Sequence, residues 1–255
     1  MEKLIHIVPL GWEHDRAVKP LEAMRVHKIY ALVWTKEPRH EQYLARFRSW
    51  AKKRGIEFEV VDIDTFHSLF SVMRAVSKII VAELAAGNRI YINVSTSGKV
   101  AAIGATLAAM AHLPPSRGTL YFVVGLDYPA GKKALGAHGV ARGMWGEPQP
   151  IPIFPLALPD PDCRFVLTEL ATAAKPLDYA HLISKLGEAG MPPFREPAER
   201  KPDRAARTKV QVAFHRRIVT KLLALELVSI EKSGRRRSLG LTPAGRQFAA
   251  LCVAA

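Results

Sequence analysis

The sequence predicts an α/β protein: a mostly parallel sheet flanked by helices, followed by a winged helix-turn-helix. Three observations carry this. From Lys3 to Val124, short β-branched runs alternate with helical stretches. Between Pro148 and Pro161, six prolines mark a boundary, because proline at that density resists regular helix and stiffens a linker. Beyond it, three helical stretches lead into two short strands and a closing helix.

The elements follow in order. Lys3–Val8 reads as the first strand and Arg16–Met24 as a short helix. Lys28–Trp34 is the second strand. His40–Arg54 is helical, with Tyr43, Phe47, Trp50 and Ala51 on one side, and Gly55 closes it. Glu57–Ile63 is the third strand. Thr65–Ala86 is a long helix, apolar at Phe66, Leu69, Phe70, Met73, Val76, Ile80 and Leu84, and Gly87-Asn88 ends it. Arg89–Val94 is the fourth strand, the alanine-rich Val100–Met110 a helix, and Thr119–Val124 the fifth strand. Strand-helix alternation with short connections implies parallel strands with helices on both faces. Gly125–Pro150 holds six glycines and either covers a ligand or merely connects; Ile151–Phe154 is expected to add a last strand.

In the second half, Asp162–Ala174 and Asp178–Glu188 are helices, Met191–Lys201 is a proline-rich loop and Asp203–Leu225 is a third helix. Val228–Lys232 and Arg237–Leu241 flank the turn residues Ser233-Gly234. Thr242 is the N-cap and Pro243 the first residue of the last helix. Residues 1–155 are thus expected to form a ligand-sensing domain and residues 156–255 a winged helix.

Bulk properties narrow the function. Cys163 and Cys252 are the only cysteines, without zinc or disulfide spacing. The longest apolar run, Val100–Ala111, is too short to span a bilayer, and the opening residues do not read as a signal peptide, so a cytoplasmic, membrane-free protein is expected. The formal net charge is +14, and the last 95 residues carry +8 of it with 17 Lys+Arg against 9 Asp+Glu. A basic surface favours polyanions.

Two loops leave the carboxyl ends of strands, where ligands of such sheets bind. Asn93-Val94-Ser95-Thr96-Ser97-Gly98-Lys99 lies at a strand-to-helix turn. Helix N-termini present unpaired N–H groups and a positive dipole, which stabilise phosphate. Ser95, Thr96 and Ser97 add donors and Lys99 adds a charge, although a Ser or Thr is also an ordinary cap. A Walker A loop is excluded, since Asn93 stands where its first glycine belongs and Val100 where its Ser or Thr belongs. The second loop is Leu10-Gly11-Trp12-Glu13-His14-Asp15-Arg16. In a Rossmann-like sheet both strands are central, so both loops face one site. There Trp12 is placed to stack on a base or to act as a packing lid, and Arg16 to pair with phosphate. Glu13, His14 and Asp15 cap the helix or read polar edges. A catalytic His14 lacks a placed nucleophile, and His67, His112 and His138 lack metal-ligand spacing, so neither a catalytic residue, a metal nor a cofactor is assigned.

Arg204, Arg207, Thr208, Gln211 and His215 share one helical face, a mix suited to base edges and phosphates in a major groove. Arg235, Arg236 and Arg237 at the strand-to-strand tip suit the minor groove or the backbone. A solvated helix face and a charged turn are the plainer alternatives, and winged helices also bind proteins.

On these two loops the first domain resembles the CARF family, the CRISPR-associated Rossmann-fold sensors of cyclic oligoadenylates. With its C-terminal winged helix the chain is similar, over nearly its whole length, to archaeal CARF–helix-turn-helix regulators. One departure is Glu226, where such winged helices usually carry the glycine that ends the recognition helix. The resemblance implies a homodimer whose two-fold axis passes through the ligand site. A cyclic oligoadenylate, with cyclic tetra-adenylate the expected ring, lies across the axis, phosphates on residues 95–99 and adenines near residues 11–16. The implied output is an antiviral, CRISPR-linked transcription regulator that binds double-stranded DNA. The alternative, also from the family, is a metal-independent ring nuclease in which Lys99 and Ser95 stabilise developing charge. A nuclease pairing of Arg207 with His215 is disfavoured by their wide spacing.

Overall fold

The computed structural model describes residues 1–129, 136, 139–194, 204–233, 236–249 and 252, apart from the side chains of Arg39, Arg204, Arg207, Lys232 and Ser233. The chain forms two compact units that divide after Ala157.

The first unit is built on a six-stranded sheet: β1 (Leu4–Pro9), β2 (Lys28–Val33), β3 (Glu57–Asp62), β4 (Arg89–Asn93), β5 (Gly118–Val124) and β6 (Trp145–Ile151). The order is β3-β2-β1-β4-β5-β6, with every pair parallel except β5–β6. Helices α1 (Asp15–Glu22) and α2 (Pro38–Lys53) cover one face, and α3 (Leu69–Ala85) and α4 (Lys99–His112) the other. The strands alternate between the two cores: Ile5, Ile7, Ile90 and Ile92 pack under α3 and α4, while Val8, Ile29, Ala31 and Val33 pack under α1 and α2. Tyr43, Phe47 and Ala51 of α2 are fully buried, as their spacing predicts.

Two boundaries move for physical reasons. The long helix starts four residues late, at Leu69, because Ser68 takes the N-cap and its hydroxyl accepts from the Ser71 N–H. The last strand is Trp145–Ile151 and antiparallel, rather than Ile151–Phe154. It is the edge strand, where prolines such as Pro148 and Pro150 are tolerated, and its register with β5 shifts between Phe122 and Val124.

The second unit holds α5 (Pro161–Thr172), β7 (Leu177–Asp178), α6 (Tyr179–Glu188) and α7 (Arg204–Phe214). A π turn (His215–Val219) leads into α8 (Thr220–Ala224), followed by β8 (Val228–Ser233), β9 (Arg236–Leu241) and α9 (Pro243–Ala249). The expected single helix over 203–225 therefore contains a π turn, in which the Thr220 hydroxyl donates to the His215 carbonyl, 3.0 Å away. β7 carries no sequence periodicity because it is two residues long; it pairs with β9 through Leu177–Leu239 and Asp178–Ser238. Cys163, Val166, Leu167, Leu182, Phe214, Ile218, Leu222 and Leu239 make the core. Among the described residues no helix is long and apolar enough to cross a membrane.

Candidate functional site

The β1 and β4 loops meet directly. The Gly11 N–H donates to the Thr96 carbonyl at 2.7 Å, and a Cβ on Gly11 would meet that oxygen at 2.9 Å and the Ser97 Cα at 3.1 Å. Glycine is what lets the two loops touch. Asn93 completes the link: its side chain donates to the Arg16 carbonyl and accepts from the Ser95 N–H, both at 2.9 Å.

The hydroxyls of the turn divide into two sets. Ser95 and Thr96 are buried; Ser95 Oγ accepts from the Val123 N–H and Thr96 Oγ1 donates to the Pro9 carbonyl at 2.7 Å. Both therefore brace β4 against β5 and β1. Ser97 is half-buried, and Gly98 and Lys99 are exposed. Gly98 is the N-cap of α4 and has no side chain with which to close it. Gly98 is exposed and a Cβ there would meet nothing within 4 Å, so the surroundings of the cap residue are open. Among the described residues, no carboxylate lies within ion-pair distance of Lys99. A bare helix N-terminus, a neighbouring lysine and open space make the arrangement for an anion.

The β1 loop is more enclosed than its sequence suggests. Trp12 is half-buried against the α1–α2 core, its ring edge-on to His40 at 6.5 Å, so packing accounts for much of its surface. Glu13 and Arg16 form a buried ion pair. Burial pushes the Glu13 carboxyl up from its ordinary value, and Arg16 pulls the other way. Arg16 also lies over the Tyr128 ring, 5.9 Å from its centre. His14 precedes α1 without capping it through its side chain, and Asp15, buried, accepts from the Gly143 N–H at 2.8 Å.

Some neighbours escape sequence reasoning. Residues 139–143 close on the β1 loop through backbone bonds, with the Val140 N–H donating to the Trp12 carbonyl at 2.8 Å. At the carboxyl ends of β2 and β3, Trp34, His40, Phe66 and His67 join Trp12 in a chain of edge-on rings with centres 5.5 to 6.5 Å apart. Their only signal in sequence is position just beyond a strand. Among the described residues no cluster of His, Cys, Asp and Glu could hold a metal.

In the second unit, Thr208 and Gln211 are exposed on α7 and His215 is half-buried at the start of the π turn. The side chains of Arg204 and Arg207 lie outside the described residues, as do Lys132, Lys133, His138 and Arg235. Arg236 and Arg237 are exposed at the start of β9. Arg217 bonds Asp162 at 2.9 Å and Lys221 pairs with Asp160, which ties the long helix to the start of α5. Glu226 ends that helix in the left-handed region at φ +54°, with the Leu227 N–H on the Leu222 carbonyl and the Glu226 N–H on the Leu223 carbonyl.

Two family models match along the chain. Residues 4–126 match the model described as HFX_2341_N-like, N-terminal. Residues 162–252 match the DUF6293 C-terminal winged helix domain. The first unit matches an HFX_2341_N-like domain and the second a DUF6293 winged helix domain.

No curated protein matches the chain. Among solved structures, it is similar to a type III CRISPR defence DNA nuclease activated by cyclic oligoadenylate, at 15% identity over 94% of this chain and 37% of that one, with a TM-score of 0.40. It is similar to Can2 from Sulfobacillus thermosulfidooxidans in complex with cyclic tetra-adenylate, at 12% identity over 97% and 63%, with a TM-score of 0.41. It is similar also to protein VC1899 from Vibrio cholerae, at 14% identity over 97% and 64%, with a TM-score of 0.41. The chain spans between about a third and two thirds of the length of these structures. In the DUF6293 winged helix, α9 lies so close to the chain before β8 that a Cβ on Gly245 would meet the Leu227 carbonyl at 1.8 Å. The HFX_2341_N-like domain keeps its open helix N-terminus at the carboxyl end of β4, between the sheet's two central connections.

Proposed function

We propose that the protein is a ligand-responsive, CRISPR-linked transcription regulator of the cytoplasm. It binds a cyclic oligoadenylate at the carboxyl edge of the parallel sheet and DNA through the winged helix. The observation that carries the reading is the uncapped N-terminus of α4, open around Gly98 and flanked by exposed Lys99. A phosphate there gains unpaired N–H groups, the helix dipole and a full charge together. Ser97, Gly98 and Lys99 make the direct contacts; Ser95, Thr96 and Gly11 hold the turn in shape. Trp12, Glu13, His14 and Asp15 form the side of the pocket that faces the bases, and Arg16 pairs with a phosphate. Two copies related by a two-fold axis present two such edges to one symmetric ring.

The winged helix supplies the reader. Thr208, Gln211 and His215, with Arg204 and Arg207, face the major groove, and Arg235, Arg236 and Arg237 contact the backbone or minor groove. The burial of Ser95 and its bond to Val123 favour a binding turn over a ring-cleaving one, since a buried, committed hydroxyl does not reach a scissile phosphate.

The test is calorimetric titration of the protein with cyclic tetra-adenylate. Binding is expected, weakened about tenfold or more in Lys99→Ala, since one charge-assisted contact contributes roughly 1.5–3 kcal/mol. Absence of binding to cyclic oligoadenylates of four and six units would refute the reading.

A further inference from the structure

We infer that Glu13 is a built-in competitor for the ligand's phosphate at Arg16, and that the ligand must turn Glu13 away and so release the Ala141 N–H. This rests on the sensor reading above. The Arg16 side chain is 11% exposed and Glu13 4% exposed, and the two are paired. Arg16 Nε is buried and has no acceptor among the described residues. A guanidinium fork with an unused donor matches a phosphate better than the single carboxylate it holds now.

The same carboxylate has a second task. Its other oxygen accepts from the Ala141 N–H at 3.4 Å, beside the bond from the Gly143 N–H to Asp15 at 2.8 Å. Gly139 packs its backbone on the Trp12 carbonyl at φ +84°, where a Cβ would stand 2.2 Å from that oxygen. Glu13 thus holds a cation on one side and a piece of backbone on the other. Once phosphate occupies Arg16, a Glu13 carboxylate left in place would be buried beside a like charge without its partner. It swings out, and the bond to Ala141 goes with it. The free protein keeps Arg16 masked, which lowers affinity, and the ligand's arrival frees the Ala141 N–H, while Val140 and Gly143 keep their bonds to Trp12 and Asp15.

Calorimetry with cyclic tetra-adenylate tests this in the full chain as wild type, Glu13→Gln, Arg16→Ala and the double variant, with thermal unfolding run on each. Glu13→Gln is expected to bind about fivefold tighter or better, and the gain is expected to vanish in the Arg16→Ala background. Wild-type binding with an unchanged or weakened Glu13→Gln overturns the inference while the sensor reading stands, as does a gain that survives loss of Arg16. Failure of the wild type to bind overturns both. Should Glu13→Gln unfold, hydrogen exchange on the wild type decides. Faster exchange at Ala141 with ligand supports the inference, and unchanged or slower exchange there overturns it.

Discussion

Glu226 follows α8 and ends that helix in a conformation that glycine adopts freely and glutamate does not. Both hydrogen bonds of the helix stop are present, so the strain belongs to the side chain alone. Glu226→Gly is therefore expected to stabilise the winged helix by about 1 kcal/mol in denaturant unfolding; a destabilised variant would contradict this. His6 is a second residue whose surroundings set a measurable property. It is fully buried on β1 and stacked on Tyr91 at 4.8 Å. Burial holds its pKa down at about 4, against a smaller opposing pull from the Arg25 backbone. Between that value and the ordinary one the unfolded chain takes a proton that the folded chain refuses. The contribution is therefore whole above about pH 6.5 and is lost as pH falls towards 4. From pH 7 to pH 5 it amounts to about 2 kcal/mol. In His6→Phe, the melting temperature is expected to fall less over that range than in the wild type; parallel curves would contradict the assignment.

At the scale of elements, the open turn before α4 makes its own prediction. Gly98 has φ −63° and empty space beside it, so Gly98→Leu is tolerated by the fold. The added side chain stands where an anion would, so ligand affinity is expected to drop by tenfold or more in calorimetry while the melting temperature holds. Loss of both together would place the glycine's role in folding instead. This element also shows what a sequence makes legible. The Arg89–Asn93 strand and the helix after it follow from local composition, as do α2, the β8–β9 pair and the cap in which the Gly245 N–H bonds Thr242 at 2.9 Å. The inward turn of Ser95 and Thr96 does not, because their partners, Val123 and Pro9, come from other strands. The closure of residues 139–143 over Trp12 is less legible still: it joins the backbone of Val140 to that of Trp12, and the N–H groups of Ala141 and Gly143 to the Glu13 and Asp15 carboxylates, across more than a hundred residues. The chain of rings from Trp12 to His67 is hidden likewise, since periodicity assigns a face but not a neighbour at a strand's end.

For the whole molecule, the two units each have their own hydrophobic core. The HFX_2341_N-like unit is proposed to take the anion at the turn before α4 and the DUF6293 winged helix to bind DNA, in a sequence of net charge +14. In the proposed dimer, a ligand regulates DNA binding only through unequal affinity for two arrangements, and the coupling works in both directions. Couplings of this kind usually amount to about 1–3 kcal/mol, or roughly 5- to 150-fold in affinity. The direct measurement is fluorescence anisotropy of a labelled duplex from the protein's own promoter, titrated at fixed salt with and without saturating cyclic tetra-adenylate. The account predicts a dissociation constant that differs by about fivefold or more between the two titrations, with the difference abolished in Lys99→Ala. Identical titrations from a protein that binds both ligands would contradict it.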